Sequence, residues 1–215
     1  MRMHINEDVR PLHRIAVLAS VDVVSAVTAD DLSKVTPCVG WSLADLLTHM
    51  TVQHRGFAAA ARGHGADQAI WQPDTVAEAV AADPAGTYSA AATAVIDAFA
   101  GADVLDATFA LPEFGSGATF PGSEAIGFHF VDYVVHGWDV ARTMGRPFAL
   151  PVDVVAAALP RAFGVPDGDF RTSDSAVFGP AIPLTEPAND LDRILAYLGR
   201  SPQWNPPVVA NTRAS

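Results

Sequence analysis

Four stretches of this chain carry apolar residues at helical spacing, each several turns long and each bounded by glycine, proline or a capping residue. Val9, Leu12, Ile15, Ala19 and Val23 form the stripe of a first helix over about residues 7–25, with Asn6 as its N-cap. Ser42 opens a second helix, and Asp45 follows three residues later in the capping-box pattern. Leu43, Leu46, Leu47 and Met50 give this helix its apolar face, and Gly63-His64-Gly65 ends it. Asp83-Pro84 starts a third, alanine-rich helix that runs to about Gly101. The fourth covers about residues 123–144 and stops at Gly145. A long crossover separates the last two. Four long helices so connected predict a mainly all-α chain built on a four-helix bundle.

Shorter elements fill the gaps. A short helix is expected over 76–82. In the crossover, Leu105, Ala107, Phe109 and Leu111 alternate with Asp106, Thr108 and Ala110, and Gly115-Ser116-Gly117 supplies a turn, so a short β-hairpin is expected there. Beyond Pro147 and Pro151, helices over 152–163 and 191–198 make a small helical C-terminal extension. The expected organisation is a bundle over 1–146 and an extension over 147–215 packed on it as one structural unit. No internal repeat is evident.

Half of the 215 residues are hydrophobic, enough for a substantial core, yet no apolar run approaches the ~20 residues of a membrane helix. The N-terminal segment lacks the apolar region of a signal peptide, so a cytoplasmic location is expected. The formal net charge is −11 and Lys34 is the only lysine, which argues against a nucleic-acid partner and against a polybasic membrane patch. The partner expected is a small-molecule substrate, with a homo-oligomer left open. Cys38 is the single cysteine, so no intrachain disulfide and no Cys-based zinc site can form. Its neighbours, Thr-Pro-Cys-Val-Gly, hold no cation, and it reads as a bland, partly buried residue.

The chemistry concentrates in His129-Phe-Val-Asp132-Tyr-Val-Val-His136-Gly-Trp-Asp139. Asp132 and His136 are four apart, which puts a carboxylate and an imidazole on one helix face about one turn apart. His49 lies beside the apolar stripe of the second helix, where a buried imidazole needs partners. His49, Asp132 and His136 together offer two nitrogens and one oxygen. That set suits Zn²⁺, and also Ni²⁺ or Fe²⁺, with positions left open for water or substrate. The bland alternative is an ordinary Asp–His pair on a helix surface. Asp139 is either a hydrogen-bond partner for His136 or plain surface, and Asp45 either orients His49 or simply caps its helix. His129 is a fourth ligand, a proton-transfer group or a core histidine bonded to backbone. His4, His13, His54 and His64 read as non-ligands. No nucleophile elbow, P-loop or dinucleotide fingerprint is present.

Three motifs carry a family resemblance: Gly-Trp-Ser-Leu-Ala-Asp-Leu-Leu-Thr-His at 40–49, Asp-Tyr-Val-Val-His-Gly-Trp-Asp-Val-Ala-Arg-Thr-Met-Gly at 132–145, and Asp-Arg-Ile-Leu-Ala-Tyr-Leu-Gly-Arg-Ser-Pro-Gln-Trp at 192–204. They resemble the actinobacterial metal-binding proteins of the DinB-like superfamily, in the group related to mycothiol-dependent maleylpyruvate isomerase. The resemblance implies a DinB/YfiT-like bundle and a metal held by His49, Asp132 and His136. It also implies thiol chemistry, with mycothiol as cosubstrate. The isomerase pattern has Glu where this chain has Asp132, and a larger C-terminal domain, so maleylpyruvate isomerisation itself does not carry over. The expected function is a metal-dependent thiol transferase or thiol-assisted isomerase acting on a small electrophile. In that reading His129 moves a proton, and Trp41, Phe57 and Tyr133 wall the pocket. The rival expectations are a non-catalytic small-molecule or metal-binding protein and a metal-dependent hydrolase.

Overall fold

Asp8 accepts a hydrogen bond from the Arg10 amide at the start of α1 (Arg10–Val24), and Pro11 sits in the first turn, where its missing N–H is no loss. The structure is a computed structural model that describes residues 8–172, 178–185 and 187–207. The expected Asn6 cap and the helix start at Glu7 lie outside the described residues, as does His4. The buried face of α1 differs from the apolar stripe. Ile15 is 38% exposed, whereas His13 and Ser20 are buried with Ala16, Val17 and Val23. Polar pairing accounts for this. His13 Nε2 lies 2.8 Å from His129 Nδ1, and Ser20 Oγ lies 2.6 Å from the Tyr88 hydroxyl. A polar side chain with a partner can take an inner position that hydrophobicity alone would deny it.

α2 (Leu43–Ala61) begins with a complete capping box. The Asp45 amide donates to Ser42 Oγ, and the Ser42 amide donates to the Asp45 carboxylate. Asp45 is therefore engaged as a cap. The short α3 (Ala77–Ala82) leads into α4 (Pro84–Phe99), whose N-cap Asp83 accepts from the Gly86 amide. Strands β1 (Thr108–Ala110) and β2 (Thr119–Pro121) form the expected antiparallel hairpin, with Phe109 opposite Phe120. A 3-10 turn at Pro112–Phe114 lies between them, and Gly115 and Gly117 take positive φ. α5 (Gly122–Thr143) follows directly, then α6 (Val152–Ala162) and α7 (Asp190–Tyr197), which ends at the positive-φ Gly199.

α1 packs on α4 and α5, and α2 packs on the same two helices. The bundle order is thus α1–α4–α2–α5 around the ring, with α1 and α2 diagonal. α2 and α5 run antiparallel. His49 sits beside His136, and further along α2 His54 and Phe57 meet His129, which lies earlier on α5. Most of α5 is buried, because α6 packs on it from outside and α7 packs on α6. Among the described residues no helix is long and apolar enough to cross a membrane.

Candidate metal centre

His49, Asp132 and His136 come together between α2 and α5. Each offers one ligand atom within 4.8 Å of the other two. His136 Nε2 is 3.3 Å from Asp132 Oδ1, and His49 Nε2 is 3.9 Å from Asp132 Oδ2. The i, i+4 spacing on α5 aligns the first pair, and the antiparallel α2 brings the second histidine across. The His49 and Asp132 side chains are 25% and 15% exposed and that of His136 is 3%, so the group opens to solvent on the His49 side. The Trp41 ring flanks that opening, 5.0 Å from the His49 ring.

Electrostatics divide the three. Burial drives His49 down to about 4, although the Asp132 charge works against it. Burial opposes charge on His136 too, but Asp132 and the hydrogen bonds of Asp132 and Asp139 raise it well above the ordinary value. Asp132 is held below the usual carboxylate range, burial being outweighed by His136 and His49.

Behind His136 lies a second layer. His136 Nδ1 is 2.9 Å from Asp139 Oδ2, which leaves Nε2 for the open side. The same oxygen accepts from Arg200 Nη2 at 3.2 Å and from Cys38 Sγ at 3.1 Å. Asp139 stays ionised despite full burial because Arg200 and His136 lie against it. Arg200 Nη2 also lies 3.3 Å from Cys38 Sγ, so the sequence expectation of no cation near Cys38 is corrected. Cys38, His136 and Asp139 form a second set with ligand atoms within 4.8 Å, but the guanidinium already supplies the positive charge there. Local sequence could not show Arg200 as a neighbour, since 162 residues separate it from Cys38. Its only signal was its place in the third motif.

His129 lies in a different place. Its Nδ1 pairs with His13 at 2.8 Å and its Nε2 with His54 at 3.2 Å, and its ring stacks on Tyr133. All three histidines are buried, and burial keeps His13 at about 3 and the other two well below normal. His13 thus has a partner 116 residues away that sequence spacing could not reveal. Tyr133 donates its hydroxyl to the Met50 carbonyl, and Phe57 packs on Trp71 and His129. Of the three expected wall residues, Trp41 borders the triad and the other two pack in the core.

The hairpin supplies one more acidic group. Gln53, one turn beyond His49 on α2, donates to Glu113 Oε2 at 2.7 Å. Glu113 belongs to an exposed turn, yet the protein behind its carboxyl, together with the Asp132 charge, raises it to about 7. Both facts place this carboxyl against α2 and within electrostatic reach of Asp132. Sequence reading passed over Glu113 because nothing in a hairpin turn signals contact with α2.

The donor set of two imidazoles and one carboxylate, with His136 oriented from behind, fits a divalent ion such as zinc. Comparison with known proteins places the chain further. Residues 13–141 match the family model described as the mycothiol maleylpyruvate isomerase N-terminal domain. The uncharacterized proteins MT0763 and Rv0738 of two Mycobacterium tuberculosis strains, CDC 1551 / Oshkosh and ATCC 25618 / H37Rv, are each 28% identical over 189 residues, covering 88% of this chain and 96% of theirs. The crystal structure of the mycothiol-dependent maleylpyruvate isomerase matches with a TM-score of 0.53 at 14% identity, over 73% of this chain and 67% of that one. A mutant of the same enzyme matches equally well at 13% identity. At such identity the structural likeness speaks for the fold, which is the DinB-like bundle that the motifs suggested. The family model spans more than half of the sequence, and the chain belongs to the mycothiol maleylpyruvate isomerase N-terminal domain family.

Proposed function

We propose that this protein is a divalent-metal-dependent enzyme of the thiol-transferase or thiol-assisted isomerase type, with mycothiol as thiol and a small electrophile as substrate. The observation that carries the reading is the meeting of His49, Asp132 and His136 at a solvent-facing opening between α2 and α5. These three would hold the ion, zinc first by ligand type, with nickel or iron also compatible. When bound, the ion supplies a positive charge that stabilises a thiolate at neutral pH. Asp139 fixes the His136 ring, and Arg200 keeps Asp139 ionised for that task. Trp41 flanks the opening on the His49 side, where a ligand would enter. His129, with both ring nitrogens taken by histidines, has no part in this reading.

The test is thiol conjugation or isomerisation of small electrophiles with mycothiol, with and without added metal, in the wild type and in His49→Ala. Turnover that needs metal and disappears in the variant is expected. Equal rates in the two proteins would contradict the proposal.

A further inference from the structure

The hairpin turn bridges the two helices that carry the triad. On one side Glu113 is held by Gln53, one turn from His49 along α2. On the other, the Phe114 ring packs 5.2 Å from Phe128, one turn before Asp132 on α5. The turn is thus tied to both helices that carry the ligands, and each tie lies one turn from a ligand. The Asp132 charge acts on Glu113, and the Glu113 charge acts on Tyr133, the residue next to Asp132. The carboxylate, tied one turn from a ligand on each helix, therefore lies within electrostatic reach of the triad. No described lysine or arginine is among the groups acting on it. Arg200 is 6% exposed and committed to Asp139 and Cys38, and Lys34 is paired with Asp31. Gln53, its one hydrogen-bond partner, is neutral.

We propose that Glu113 is a specificity-determining residue, selecting ligands whose part remote from the thiol is neutral or cationic and turning away those that carry an anionic group there. The inference rests on the metal–thiol reading above and names the substrate class of that same site. Coulomb's law sets the direction. A negative group entering beside Glu113 is repelled, a positive one is attracted, and partial desolvation of the carboxyl makes the effect larger than in bulk water.

Three thiols of nearly equal length and different charge make the test: thiocholine, 2-mercaptoethanol and 2-mercaptoethanesulfonate. Each is titrated into the cobalt-loaded protein at pH 8, where Glu113 is ionised, and thiolate-to-cobalt charge-transfer absorption reports binding. Comparing variants with the wild type cancels the intrinsic differences between the thiols. Glu113→Gln should weaken thiocholine and strengthen the sulfonate, each by roughly three- to tenfold, and leave 2-mercaptoethanol within about twofold. Glu113→Lys should move both charged thiols further in the same directions. The cobalt spectrum before thiol addition checks that each variant keeps its site. Unchanged relative affinities in both variants, with thiols still binding, would overturn the role of Glu113 and leave the metal–thiol reading standing. No charge-transfer band with any of the three in the wild type would overturn that reading, and this inference with it.

Discussion

Asp139 has one oxygen serving three donors: His136, Arg200 and Cys38. Its other oxygen is buried without a hydrogen-bond partner, so the charge depends on this one contact set. Asp139→Asn keeps the shape but removes the charge that aligns His136. Metal affinity measured by chelator competition should fall roughly 10- to 100-fold, whereas an unchanged affinity would show that the His136–Asp139 bond does not orient the ligand. Arg200→Met leaves a buried carboxylate without its main counter-charge, a loss of about 3–5 kcal/mol in such pairs. Urea unfolding should show a drop of that order, and a neutral result would mean that Asp139 takes up a proton instead. At this scale the sequence was partly legible. The Asp132–His136 pair, and Asp139 as one of two open alternatives, could be read because i, i+3 and i, i+4 spacings on one helix are local, and His49 by its place beside the apolar stripe of α2. Arg200, Glu113 and His13 could not, because their partners come from elements far away in sequence, and no spacing rule spans a tertiary contact.

The helices themselves were announced by caps and breakers. The capping box at Ser42, Pro84 after Asp83 and Gly199 beyond α7 all act through the backbone near their own position, so the sequence shows them directly. The face of α1 was misread because its inner positions include His13 and Ser20, which hydrophobic periodicity counts as outward. A tighter contact occurs on α2, where Gly56 lies beneath the Trp71 ring. A Cβ added there would meet ring carbons at 2.4 Å. Trp71 cannot simply turn away, because its indole N–H donates to the Gly65 carbonyl. Gly56→Ala should therefore destabilise the fold by about 1–3 kcal/mol, seen as a lower Tm with little change in far-UV circular dichroism. A Tm equal to wild type would mean that the loop carrying Trp71 yields freely.

Across the whole molecule, histidines held neutral set the response to pH: His13, His54 and His129 are buried and His49 partly so. His13 and His49 are held at about 3 and about 4, and His54 and His129 well below normal, largely by burial. In the unfolded chain each would titrate near 6.5. The unfolded state therefore binds more protons once the pH drops below that value. The stability that these groups confer is complete above about 6.5 and is lost as the pH falls toward their folded values. The raised value of His136 matters only above about 6.5, because below it both states carry that proton. Glu113, raised to about 7, opposes the four histidines, because between its ordinary value and about 7 only the folded state binds its proton. The net is about three protons, or a slope of about 4 kcal/mol per pH unit at its steepest. Urea midpoints of the metal-free protein should fall sharply between pH 6.5 and 5, and less so in a His13→Asn variant. A flat profile over that range would contradict the buried chain of neutral histidines.

In the proposed function the three side chains meeting between α2 and α5 hold an ion. Elemental analysis of the purified protein, beside His49→Ala and His136→Ala, tests it most directly. About one divalent metal per chain is expected in the wild type, and its loss in both variants. A wild type that holds no metal even after reconstitution, or variants that keep it, would contradict the claim.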